Sequence, residues 1–167
     1  MKNFSSKLSA SQQAERLLPP QRRVKAVLDT DAYNEIDDQF AILYAMLSPE
    51  KIDLQAIYAA LFYNGRSSSP ADGMEKSYQE ILKICGLTGR DPEGFVFRGC
   101  RAPLEGPELP QESEAVNDLI RKARQASPDD PLYVIGIGAC TNIVSAILKC
   151  PEIIENLVVV WLGGNTR

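Results

Sequence analysis

Apolar and polar positions along this chain come in blocks, and the blocks change period. A polar stretch over residues 1–22 closes on Pro19-Pro20 and reads as a tail or short helix ended by a breaker. VKAVL at 24–28 is then a nearly unbroken apolar run, the pattern of a strand covered on both faces. After a strongly polar interval, residues 40–47 (FAILYAML) predict an apolar helix halted at Ser48-Pro49. LQAIYAALF at 54–62 predicts a second strand, and the polar loop YNGRSSSPADG leads into a helix over 74–84 that Gly86 is placed to end.

Residues 95–97 predict a third, short strand, and the Gly- and Pro-rich GCRAPLEGPELP a loop. Ala115, Val116, Leu119, Ile120 and Ala123 mark the apolar face of a helix over 114–126. A strand over 132–137, a helix over 142–148 and a strand over 157–162 complete the alternation, with no internal repeat. Strand alternating with helix at this spacing predicts an α/β fold, doubly wound around a mainly parallel sheet with helices on both faces. The expected organisation is an N-terminal tail, 1–22, and one α/β domain, 23–167. That domain is expected to be truncated: LGGNTR follows a buried-type strand with no helix to cover it, at the end of the sheet where such folds build their ligand sites.

Composition narrows the function classes. With 167 residues, 44% of them hydrophobic, the chain is long enough for a sizeable core. A net charge of −4 argues against nucleic acid or an anionic membrane as partner, and Arg22, Arg23 and Lys25 form too short a basic cluster to reverse that. No apolar run has the length of a membrane span, and the N-terminus lacks the apolar region of a secretory signal. The four cysteines, with no CxxC pair, read as buried reduced thiols, which points to the cytoplasm. Histidine is absent, so proton chemistry near neutral pH falls to carboxylates, water on a metal, Tyr, Cys or Lys.

The polar interval is where chemistry concentrates. DTDAYNEIDD places Asp29, Asp31, Glu35, Asp37 and Asp38 within ten residues, between a buried strand and a helix. Like charges that close repel unless something offsets them. Helix capping accounts for one or two of the acids but not five. An EF-hand fails, because positions 1, 6 and 12 counted from Asp29 hold Asp29, Asn34 and Phe40. A phosphatase with an aspartyl nucleophile stays open as an alternative, although Tyr33 stands where such enzymes prefer Thr or Val. An oxygen-ligated divalent cation suits the pattern best: Asp29 and Asp31 leave the strand end together while Asp37 and Asp38 open the facing helix.

From Val24 onward the chain resembles the inosine-uridine-type nucleoside hydrolase family. The resemblance is carried by DTD…DD, by SPEKIDLQAIYAA, by PLYVIGIGACTNIVSAIL and by PEIIENLVVVWLGG. It implies calcium-dependent hydrolysis of the N-glycosidic bond of ribonucleosides to ribose and base. Asp31 would be both a calcium ligand and the base that activates water, and Asp38 a second ligand. Thr141 would offer its backbone carbonyl to the metal, Asp37 would hold ribose hydroxyls, and Asp29 would support the motif. Asn64, about one residue out of register, matches a ribose-binding Asn. The partner would be a nucleoside, with self-association between copies.

The sequence departs from the family in two ways. AYNEI puts five residues between the second Asp and the paired acids where the family has three, a two-residue insertion that moves Tyr33, Asn34 and Glu35 into the loop; Tyr33 is read as packed or exposed and not as stacking on a base. The family's later Asp and His have no counterpart, so negligible turnover is expected of these 167 residues alone, and a non-catalytic binding module with the same fold stays open. NGRSSSPADG reads equally as a lid or a surface loop; GIGAC lacks the third glycine of a dinucleotide fingerprint and reads as a tight turn; Trp161 reads as core.

Overall fold

A computed structural model describes residues 7–163. Residues 1–6 of the expected tail, and 164–167 with Gly164 and Asn165 of the closing motif, lie outside the described residues. The elements run α1 (Ala10–Arg16), β1 (Val24–Thr30), α2 (Ile36–Met46), β2 (Ile52–Ala59), α3 (Pro70–Thr88), β3 (Val96–Arg98), α4 (Glu114–Gln125), β4 (Leu132–Gly136), α5 (Thr141–Lys149), a 3-10 helix (Pro151–Asn156) and β5 (Leu157–Trp161).

The five strands form one sheet in the order β3-β2-β1-β4-β5, and every pairing is parallel. β1 is central and is buried without a break from Ala26 to Thr30, as its apolar run requires when both sheet faces are covered. The chain moves outward from β1 through β2 to β3, then crosses back to β4 and β5. Right-handed crossovers therefore put α2 and α3 on one face and α4 and α5 on the other, and within each pair the helices pack together. Among the described residues no helix is long and apolar enough to cross a membrane.

Both ends of α3, the exposure of Trp161 and a 3-10 helix differ from the sequence reading for identifiable reasons. α3 begins at Pro70 because Ser69 caps it, its hydroxyl accepting from the Asp72 N–H with Pro at the first turn. It then runs through Gly86, which meets no neighbour, and ends at Gly89, whose φ of 68° supplies the left-handed cap. Trp161, expected in the core, is 44% exposed. It lies at the end of edge strand β5, where its indole N–H donates to the Gly138 carbonyl at 3.0 Å. The 3-10 helix was not foreseen; Pro151 opens it directly after α5.

The N-terminal segment is held chiefly by Arg16, with the Lys7 N–H also donating to Glu155 Oε1 at 2.9 Å. Ser9 and Gln12 form a capping box, and Arg16 donates to the carbonyls of Glu155, Leu157 and Pro128 at 2.8, 3.3 and 2.6 Å. The thiols of Cys85, Cys100 and Cys150 are buried, Cys140 is partly so, and all four are free.

Candidate functional site

The connection after β1 runs to β2 and the connection after β4 runs to β5, in opposite directions across the sheet, so the carboxyl ends of β1 and β4 flank the point where strand order reverses. Open α/β sheets bind ligands at such a point because the two crossing connections part there and leave a crevice. The Ile137 N–H donates to the Asp29 carbonyl and the Ala60 N–H to the Thr30 carbonyl, so the end of β1 is fixed from both neighbours. Asp29, Thr30 and Asp31 emerge into this crevice, and α2 brings Asp38 to them.

Three of the five acids are buried: Asp29 is 1%, Asp31 7% and Asp38 6% exposed. Glu35 and Asp37 stay exposed, Glu35 as the residue before α2 and Asp37 in its first turn. Asp38 is tied back to β1 by the Thr30 hydroxyl, which donates to its Oδ1 at 2.5 Å. Burial pushes the Asp38 carboxyl up to about 6, against the Thr30 bond and with the charges of Asp31, Asp37 and Glu35. Burial likewise raises Asp31, opposed by the Asn34 hydrogen bond. Asp29 is driven furthest: burial lifts it to about 8, a bond from Asn142 pulls it down, and the Asp31 charge adds to the rise.

No Lys or Arg among the described residues forms an ion pair with any of the three. Asp29 Oδ2 is buried with no hydrogen-bond partner, a costly condition for a carboxylate oxygen. Buried acids that raise one another, with an unpartnered oxygen and no cationic side chain, are the donor set of a hard cation. The residues present therefore fit a divalent ion. Among the described residues, however, no three His, Cys, Asp or Glu side chains are arranged as a metal-holding group. The carboxylates are present, but among the described residues no assembled three-carboxylate cluster is.

Asn142, the second residue of α5, organises the floor of the crevice. It is 1% exposed; its Nδ2 donates to Asp29 Oδ1 at 3.4 Å and to the Ala59 carbonyl at 3.3 Å, and its Oδ1 accepts from the Cys100 N–H at 2.7 Å. One amide thus joins the ends of β1 and β2 to the segment after β3. Glycine makes the approach feasible: a Cβ at Gly99 would stand 2.6 Å from Asn142 Nδ2 and 2.0 Å from the Ala59 carbonyl oxygen. The glycines after β4 act in the same way. A Cβ at Gly138 would meet Asp31 Oδ1 at 2.7 Å, and one at Gly136 would meet Ile143 at 2.8 Å. GIGAC makes the tight strand-to-helix connection expected from sequence, from Gly136 to Thr141, and with positive φ confined to Gly89 and Gly94 among the described residues its glycines serve close approach.

The inserted loop turns inward. Asn34 donates through Nδ2 to Asp31 Oδ2 at 2.9 Å, and its Oδ1 accepts from Asn64 Nδ2 at 2.6 Å. Tyr33 stacks on Phe62 with ring centroids 6.4 Å apart, and the Lys76 ammonium lies 5.9 Å from its ring. In NGRSSSPADG the serines are spent locally: Ser67 donates to the Phe62 carbonyl, the Ser68 N–H donates to Asp72, and Ser69 caps α3. Asn64 is exposed and near Asn34, and Thr141 is the first residue of α5, nearly buried at the crevice floor. The sequence reading gave Asn142, Asn34 and Gly138 no role. Their available signals were an Asn at a strand-to-helix junction inside an apolar block, an Asn in the insertion, and a Gly-x-Gly already set aside as a turn.

Comparisons with known proteins bear on the family and the fold. The pattern of the family described as inosine-uridine preferring nucleoside hydrolase matches residues 26–167. Among solved structures the chain is similar to a purine-preferring ribonucleoside hydrolase from Gardnerella vaginalis, with 25% identity, a TM-score of 0.63, and coverage of 84% of this chain and 49% of that one. It is also similar in fold to an inosine-guanosine nucleoside hydrolase, with 21% identity, a TM-score of 0.64, and coverage of 86% and 50%. The chain thus spans about half the length of these solved structures. No curated protein matches it.

Proposed function

This chain belongs to the inosine-uridine preferring nucleoside hydrolase family, a family of metal-dependent hydrolases, and on that premise we propose that it serves hydrolysis of the N-glycosidic bond of ribonucleosides, yielding ribose and free base. The observation that carries the reading is the burial of Asp29, Asp31 and Asp38 about the carboxyl end of β1, with Asp29 Oδ2 unpartnered and no cationic side chain among the described residues to pair them. In this reading Asp31, Asp38 and Thr141 hold a calcium ion. When bound, the ion supplies positive charge that acidifies and orients a water and relieves the repulsion among the acids.

The chain's own residues do the rest. Asp31, with Oδ2 engaged by Asn34, accepts the proton of the attacking water on its carboxylate. Asp37, exposed in the first turn of α2, and Asn64, on the loop after β2, offer an acceptor and a donor to ribose hydroxyls. Cleavage of a ribosyl bond leaves positive charge on the sugar, and carboxylates around it stabilise that charge. Asp29 stays at the end of β1, held by Asn142, as the buried acid that supports the motif. The setting proposed is cytoplasmic.

Release of ribose from inosine and uridine, followed by a reducing-sugar assay with Ca2+ present, tests the reading on this chain and on the longest in-frame product of its reading frame. Ribose should appear with the longer product, and Asp31→Asn should remove it. Intact nucleoside with every form, or release that survives Asp31→Asn, would overturn the proposal.

A further inference from the structure

Asn34 belongs to the longer form of the acidic loop, and nothing in the proposed chemistry requires it. Four hydrogen bonds nevertheless meet on this one residue. Its backbone N–H donates to the Asp31 carbonyl at 2.7 Å, and its Nδ2 donates to Asp31 Oδ2 at 2.9 Å. Its Oδ1 accepts from Asn64 Nδ2 at 2.6 Å, and its carbonyl accepts from Arg66 Nη1. Asn64 is itself fixed, because its Oδ1 accepts from the Arg66 N–H at 2.9 Å.

The polarity of an amide gives this arrangement its meaning. An Asn side chain has one accepting end and one donating end. Turned the other way, Asn34 would point oxygen at a carboxylate oxygen on one side and nitrogen at the Asn64 donor on the other. Asn64 therefore selects the orientation in which Asn34 donates to Asp31. The stack of Tyr33 on Phe62 holds the same two loops together from a second point.

We infer that Asn34 is a positioning residue that fixes the Asp31 carboxylate, and that Asn64 and Arg66 act on Asp31 through it. The inference rests on the proposed role of Asp31 and deepens it: the loop after β2 becomes part of what holds the central acid in place. Hydrogen-bonded partners behind a metal-ligating carboxylate commonly change metal affinity by 10- to 100-fold when removed. A relay has a further property that separate supports lack. Once Asn34 is gone, Asn64 has nothing left to transmit.

A double-mutant cycle on the whole chain, Asn34→Ala and Asn64→Ala singly and together, tests this. The first readout is the carboxyl 13C resonance of Asp31 at one fixed pH in chelator. Asn64→Ala, which does not touch Asp31, should move that resonance in the wild-type background and leave it in place in the Asn34→Ala background. A resonance unmoved by Asn64→Ala, or moved equally in both backgrounds, would overturn the inference. The second readout is Ca2+ affinity by calorimetry. Asn34→Ala should weaken it about 10-fold, Asn64→Ala should weaken it in the same direction, and the double variant should be no weaker than Asn34→Ala alone. Unchanged affinity in Asn34→Ala, or losses that simply add, would contradict the relay. Failure of the wild-type chain to take up Ca2+ would count against the calcium reading itself, and the metal-free resonance cycle would still decide the role of Asn34.

Discussion

The amide of Asn142 donates to Asp29 Oδ1 from 3.4 Å, and it is the side-chain donor on which this buried carboxylate depends; the other oxygen has none. The same amide satisfies the Ala59 carbonyl and the Cys100 N–H, so its loss strands backbone groups on two further segments. Asn142→Ala should therefore cost about 2–4 kcal/mol of stability, read as a lower urea midpoint with little change in slope. Asn142→Asp keeps the volume, removes the donors and sets another acid against Asp29, and should cost more at neutral pH than Asn142→Ala. A midpoint within error of wild type for both variants would show that the amide does not organise the crevice floor.

The raised carboxyls give the metal-free protein a definite response to pH. Asp29, near 8, and Asp38, near 6, hold their protons in the folded state far above the ordinary carboxyl value of 3.8. Their favourable contribution is complete below about pH 4 and is lost as pH rises through 6 and then 8, because the unfolded chain ionises them freely while the folded chain does not. In chelator, stability against urea should fall between pH 5 and pH 8, and Asp29→Asn should flatten that fall. Saturating Ca2+ should also flatten it, since a cation favours the ionised forms. Stability that rises across this interval in chelator would contradict the burial of these acids as unpaired groups.

Gly138 leaves room for Asp31. A Cβ there would stand 2.7 Å from Asp31 Oδ1 and 3.1 Å from Ala60 Cβ. The carboxyl end of a side chain yields more readily than backbone, so Gly138→Ala should displace Asp31 and change stability little. The expected result is a Ca2+ affinity about tenfold weaker, with a urea midpoint close to wild type. Unaltered affinity would mean that the position of Asp31 does not depend on this gap.

Arg16 should control α1 alone. Its three bonds to the carbonyls of Glu155, Leu157 and Pro128 are the chief anchor by which the helix reaches the rest of the chain. In Arg16→Ala, amide hydrogens of residues 10–16 should exchange markedly faster, while those of β1 and β4 keep their protection. Equal exchange in α1 for both proteins would show that other contacts hold it.

Much of this was legible in the sequence because the signals are local. The apolar runs of β1, β4 and β5 and the apolar faces of α4 and α5 predict a parallel α/β sheet, and the observed order β3-β2-β1-β4-β5 is such a sheet. The acidic interval stood out in the sequence for the same reason, and the structure buries three of its five acids, Asp29, Asp31 and Asp38. What escaped was whatever depends on close approach across the fold. Gly138 and Gly99 look like turn residues until a Cβ is placed on them and meets Asp31 or Asn142. Asn142 looks like an ordinary residue of a helix start until its amide is seen to reach three strand ends. Trp161 was misplaced because an apolar run does not disclose that β5 lies at the sheet edge, where its last residues lack cover. The true end of α3 escaped because two glycines three residues apart both look like stops, and only Gly89 takes the left-handed conformation.

The central claim is that Asp31 and Asp38 stand together at the end of β1 in order to hold a divalent cation. Calorimetric titration of Ca2+ into the wild-type chain, Asp31→Asn and Asp38→Asn tests it most directly. The wild type should show saturable heat of weak affinity, and each variant should lose that heat while retaining the wild-type fold by circular dichroism. Equal heats across the three proteins would contradict the claim.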